Sequence, residues 1–366
     1  MTLLLVAALL VPASGQNASE DEPGWTNLNP DLRPPALSGH AMTYDSGADR
    51  VILFGGAQTW SYDFNDNTWT DLSPAEAPLG RFNHALAYDI ESERVILYGG
   101  DLGTRAGEGR ADTWSYDSNA NTWTNVTPDL SPPRRDATAL AYDSESDRII
   151  LFGGKTPPGN FPQNDTWAYD TNTNTWTKMH PVVRPSERCC HAMAYDAESD
   201  RVILFGGSTN ALIHRADDTW SYDFNADTWT EMTPDPSPAR RRSHAMTYDS
   251  QADRTILFGG GTSNGVPWTN ETWSYHLNRN QWTNLTPARS PSIRSSMALA
   301  YDTESTRVIL FAGNIPGPRS NETWSFLYAL PAPDFFNPFV AVVASALLVG
   351  LAIVVLWGRR QTRRTG

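Results

Sequence analysis

A tyrosine–aspartate pair returns six times along this chain, at Tyr44, Tyr88, Tyr142, Tyr195, Tyr248 and Tyr301, at a spacing close to 53 residues that shortens to 44 once. A tandem period of this size constrains the fold more than length does. Each unit is one supersecondary element that cannot bury its own faces, so neighbours must stack on one another.

Every unit reads as four short strands. The first is HAMTYD (His40–Asp45) with counterparts such as HALAYD and TALAYD, and the second is RVILFGG (Arg50–Gly56) with counterparts such as RVILYGG and RIILFGG. The third holds TWSYD and the fourth NTWT. These runs are rich in β-branched and aromatic residues and are bounded by Asp, Asn, Ser and Gly. The second strand is apolar without alternation, as a strand covered on both faces must be. The paired glycines that close it, Gly55 and Gly56, Gly99 and Gly100, Gly153 and Gly154, Gly206 and Gly207, and Gly259 and Gly260, suit a sharp turn or a close backbone approach.

A third-strand tryptophan occurs six times, at Trp60, Trp114, Trp167, Trp220, Trp273 and Trp324, but a fourth-strand tryptophan follows only the first five. The missing partner stands at the front, where GWTNLNP matches QWTNLTP (Gln281–Pro287). Trp25 is therefore expected to complete the last unit and remove its open edge.

The diglycine, followed by a Tyr and a Trp at set offsets in a unit of about 50 residues, resembles the Kelch repeat family. The resemblance covers residues 24–330. It implies an all-β fold, a six-bladed β-propeller of four-stranded antiparallel blades around a central channel, closed by the N-terminal strand. One C-terminal transmembrane helix is expected beside it.

The ends carry the membrane signals. Residues 1–16 read as an export signal, with an apolar run from Leu3 to Val11 followed by small residues. Residues 331–338 read as a short stalk. Residues 339–357 have Ser345 as their one polar side chain and are long enough to cross a bilayer. Arg359, Arg360, Arg363 and Arg364 in the tail, 358–366, would stay in the cytoplasm, which places the repeats outside a single-pass cell-membrane anchor. Net charge is −13, and without those four arginines 24 basic residues face 41 acidic ones. A surface of that sign excludes nucleic acid as a partner. Cys189 and Cys190 are the two cysteines and adjoin, so no disulfide framework is expected.

Function is expected on the face where the second-to-third and fourth-to-first connections emerge, because these vary in length and text while the other turns repeat. Trp268 is the one tryptophan outside both the repeat and the membrane segment, and with Phe161 and His214 it is a candidate contact for a protein or glycan ligand. An Arg stands seven residues before the repeat tyrosine in five units (Arg81, Arg135, Arg188, Arg241, Arg294), and an acid two before the third-strand Trp in the same five (Asp112, Asp165, Asp218, Glu271, Glu322). The first unit has Leu37 and Gln58 instead. Joint presence and absence imply an ion pair in each unit; the alternative is an arginine ring, with Arg135, Arg188 and Arg241, that captures anions.

His40, His84, His191 and His244 share one place at the first strand and read as structural rather than as a metal ring. No nucleophile elbow, phosphate loop or zinc-spaced set occurs, so no catalytic residue, metal or cofactor is expected. The reading is a cell-surface binding module. A mutarotase-like sugar-modifying enzyme and a structural envelope protein are the alternatives.

Overall fold

The computed structural model describes residues 24–103, 109–157, 159–209, 214–262 and 268–328. The expected export signal (1–16), stalk (331–338), membrane span (339–357) and tail (358–366) lie outside them. Among the described residues no helix is long and apolar enough to cross a membrane.

These residues form six four-stranded antiparallel sheets, the architecture of a β-propeller. Sheet 1 runs Ala41–Asp45, Arg50–Gly55, Gln58–Asp63, Thr68–Asp71. In sheets 2 to 5 the innermost strands are Ala85–Asp89, Ala139–Asp143, Ala192–Asp196 and Ala245–Asp249, each followed by three more in the same order. Sheet 6 is Ala298–Asp302, Arg307–Phe311 and Thr323–Leu327, and its fourth strand is Gly24–Asn27 from the other end of the chain, which sets Trp25 opposite Phe326.

The apolar second strands are buried because each serves two interfaces. Val51 and Leu53 pack with Ile309 and Phe311 of sheet 6, while Ile52 and Phe54 pack with Val95 and Leu97 of sheet 2. All of these are 1% exposed or less, and each side chain contributes roughly 1.5–3 kcal/mol by leaving water.

Two circuits of hydrogen bonds run through all six sheets. In the outer one each fourth-strand indole N–H donates to a threonine hydroxyl at the start of the third strand of the preceding sheet, the first residue in five sheets and the second in sheet 1: Trp69 to Thr323, Trp123 to Thr59, Trp176 to Thr113, Trp229 to Thr166, Trp282 to Thr219 and Trp25 to Thr272, all at 2.8–3.0 Å. The inner one is backbone alone. The N–H of Asn83 donates to the carbonyl of Gly39, Ala137 to Asn83, Cys190 to Ala137, Ser243 to Cys190, Ser296 to Ser243, and Gly39 back to Ser296, at 2.6–2.9 Å. All six of these residues have φ between 53° and 65°. The circuit closes at the inner ends of the fourth-to-first connections, on the variable-loop side.

The structure differs from the sequence reading at two points. The histidines stand just before the first strand rather than in it. The second-to-third loops also hold small ribbons, Lys155–Thr156 with Phe161–Pro162 and Ser208–Thr209 with His214–Arg215. Their returning arms bridge to the arginine of the next sheet, as at Arg110 with Arg135 and Gln163 with Arg188.

Candidate functional site

The five arginines of the repeat are internal clamps. Arg135 is fully buried, and its Nη1 and Nη2 donate to Oδ1 and Oδ2 of Asp165 at 2.7 and 2.8 Å, while Nη1 also reaches the Gly153 carbonyl. Asp165 also accepts from Trp167 Nε1 at 2.7 Å. Arg81 with Asp112 and Arg188 with Asp218 repeat the two-pronged arrangement, while Arg241 with Glu271 and Arg294 with Glu322 make the pair through Nη2 and Oε2 alone. Arg135, Arg188 and Arg241, named from sequence as candidate anion ligands, thus lie buried with their charge already answered by a carboxylate and a carbonyl; the structure favours the ion pair over the open ring. Sheet 1, with Leu37 and Gln58, leaves the indole N–H of Trp60 buried without an acceptor.

The histidines act as spacers between sheets. His40, His84, His191 and His244 pack edge-on against Phe311, Phe54, Phe152 and Phe205 of the preceding sheet, with ring centroids 5.3–5.6 Å apart. Burial pulls them down, His40 to about 4 and His84 and His191 to about 3. Each faces a different phenyl ring, and the other two equivalent places hold Thr138 and Met297.

The aromatic candidates all lie on loops of the variable face but do not meet. Phe161 is 61% exposed on the ribbon of sheet 3, His214 is exposed on that of sheet 4, and Trp268 is half-buried on the returning arm of sheet 5. Among the described residues no ring contact joins them.

What the same face does bring together was not legible in the text. Arg242 pairs through its backbone with Gly261, and Arg215 with Ser208. Among the described residues neither guanidinium has a carboxylate within ion-pair distance, and Arg215 Nη1 is buried without a partner. Partial burial, then the charge of Arg242, lower the Arg215 guanidinium. The flanking arginines are engaged: Arg241 with Glu271, and Arg240 with Asp217 at 3.7 Å. Next to this pair stand Cys189 and Cys190, both free thiols with sulfurs 3.0 Å apart. A hydrogen bond from Cys189, with Arg242 and Lys155 nearby, lowers the Cys190 thiol against the effect of burial. Lys155 itself is held by Asp136 at 3.3 Å. The cluster lies beside the backbone ring, near the axis.

At the other end of the axis is a cavity of about 350 Å³. Its walls include Met42, Leu86, Leu140, Met193, Met246 and Leu299, and the six repeat tyrosines line it. Its rim is Ser46, Ile90, Ser144, Ala197, Ser250 and Thr303, all exposed on the short first-to-second turns. None of the ring residues lines it.

Short four-stranded antiparallel sheets joined in a closed circuit define a β-propeller. The chain matches the KLHDC2/KLHL20/DRC7 Kelch-repeats domain model over residues 20–181, 57–251 and 145–329. It belongs to that family. Among similar proteins, Kelch domain-containing protein 10 of Homo sapiens is 29% identical over 169 residues, 44% of this chain and 36% of that protein. Its Xenopus laevis counterpart is 29% identical over 152 residues, 39% and 35%. Mei4-dependent protein 6 of Schizosaccharomyces pombe is 28% identical over 137 residues, 35% and 19%. The matched stretch thus spans about a third or less of these relatives. A solved structure described as "Structure of YjhT" superposes with a TM-score of 0.64 at 14% identity, covering 80% of this chain and 95% of that one; this likeness concerns the fold alone.

Proposed function

We propose that this chain is a six-bladed Kelch propeller that works as a non-catalytic recognition module. It is held at the cell membrane by residues 339–357 with the blades outside, and it binds a protein ligand through the variable-loop face. The observation that carries the reading is that, among the described residues, Arg215 and Arg242 have no carboxylate within ion-pair distance, whereas the adjacent Arg241 and Arg240 do. Leaving such charges without a partner costs stability, and a ligand carboxylate or similar anionic group would recover it by a charge-assisted hydrogen bond. Trp268, half-buried on a loop of the same face, would supply apolar contact area to such a ligand.

The experiment is selection of ligands for the full chain from a displayed random-peptide library, repeated with the Arg215→Gln/Arg242→Gln variant. The proposal expects wild-type selection to enrich acidic peptides and the variant to lose them. Enrichment without acidic bias, or an unchanged set in the variant, contradicts it.

A further inference from the structure

The cavity on the turn side has a different chemistry from the loop face. We propose that it is a binding site for an organic cation carrying a short apolar stem, of the alkylammonium class. At about 350 Å³ it falls within the range of small-molecule pockets, roughly 300–1,000 Å³. Leucine and methionine side chains from six strands line it, which suits an alkyl stem and gives no reason for a bare ion.

The sign of the head group follows from the turns that frame the mouth. The six segments 45–50, 89–94, 143–148, 196–201, 249–254 and 302–307 hold fifteen carboxylates against six arginines. Three of those arginines are drawn towards the outer turns, Arg94 to Asp117, Arg148 to Asp170 and Arg201 to Asp223, at 2.6–2.9 Å. The aspartate that opens each segment is only 1–3% exposed. Negative charge set in low-dielectric walls focuses its potential into the opening.

The wall itself carries the same sign. Tyr301 lines the cavity and is 6% exposed, and the carboxylate of Asp249 from the preceding sheet stands beside it, so negative charge lies directly behind the apolar lining.

The test is calorimetric titration of the full chain with hexylammonium, hexanoate and 1-hexanol, which share a stem and differ in charge. Wild type is expected to bind hexylammonium saturably, one per chain, and hexanoate at least tenfold more weakly. Ser144→Lys/Ala197→Lys adds positive charge at two exposed rim positions without touching the core. It should weaken hexylammonium about tenfold or more and leave 1-hexanol unchanged. Three probes that bind alike, no saturation by about 10 mM, or an undiminished hexylammonium affinity in a folded Lys variant would each overturn the proposal. Arg215→Gln/Arg242→Gln, at the opposite end of the axis, should leave this binding as in wild type.

Discussion

Replacing Asp165 by Gln removes the carboxylate that Arg135 and Trp167 share. Arg135 is fully buried and the Asp165 side chain keeps 16% exposure. Breaking a buried pair from one side costs ~3–5 kcal/mol, and the partial exposure of Asp165 argues for the lower end, about 3 kcal/mol. Sheet 1 shows the same architecture without the pair, carrying Leu37 and Gln58 at the equivalent places. Arg135→Leu with Asp165→Gln therefore installs a combination the fold already accepts. Its remaining cost is mainly the Trp167 N–H left without an acceptor, about 1–2 kcal/mol, as at Trp60. The assay is urea unfolding of the full chain followed by tryptophan fluorescence, for both single variants and the double. The double should be no less stable than Asp165→Gln alone, and the two single costs should together exceed the double by at least about 2 kcal/mol. Additive costs within about 0.5 kcal/mol would refute the clamp as the reason these residues occur together. Acid should open the clamps in a defined direction. Burial pushes the Asp165 carboxyl up, but the hydrogen bonds and charge of Arg135 outweigh it and hold the carboxyl low. Its stabilisation is thus present above the ordinary carboxylate range and lost as pH falls through the lowered folded value.

Two further predictions concern the joints between sheets. Because burial keeps His40, His84, His191 and His244 neutral far below 6.5, the unfolded chain takes up protons first. Their contribution should hold steady above pH 7 and fall as pH drops from 6.5 towards 4, by up to ~1.4 kcal/mol per pH unit for each histidine. His84→Met with His191→Thr, which borrows the residues at Met297 and Thr138, should roughly halve that slope in unfolding measured at pH 7, 6 and 5. An unchanged slope would count against the histidines as its source. Thr59→Val takes away the acceptor of the Trp123 indole N–H and should cost about 1–3 kcal/mol in the same unfolding assay, with no loss implying that the outer circuit is not a stabilising joint.

The fold was largely legible because the chain writes the same unit six times. Strand boundaries followed from Tyr-Asp and diglycine text, and the pairing of Gly24–Asn27 with Thr323–Leu327 followed from one unmatched tryptophan. The arginine–acid pairs were legible because both partners vanish together in sheet 1. Backbone features were hidden: the inner ring is made of Gly39, Asn83, Ala137, Cys190, Ser243 and Ser296, whose side chains share no chemistry, since what matters is a positive φ and a free N–H. The unpaired state of Arg242 was hidden too. In Arg240–Arg241–Arg242 nothing local marks the third as the one without a carboxylate among the described residues; the difference lies in the tertiary surroundings of each. The cavity was invisible for a related reason: the repeat tyrosines marked register, and only packing shows that they converge on one opening.

The most direct test of the recognition account is the dissociation constant of an acidic peptide selected by the wild-type chain, measured against wild type and Arg215→Glu/Arg242→Glu at two salt concentrations. The account expects a loss of at least tenfold in the variant and a wild-type affinity that weakens with salt. Equal affinity for both proteins, with no response to salt, would contradict it.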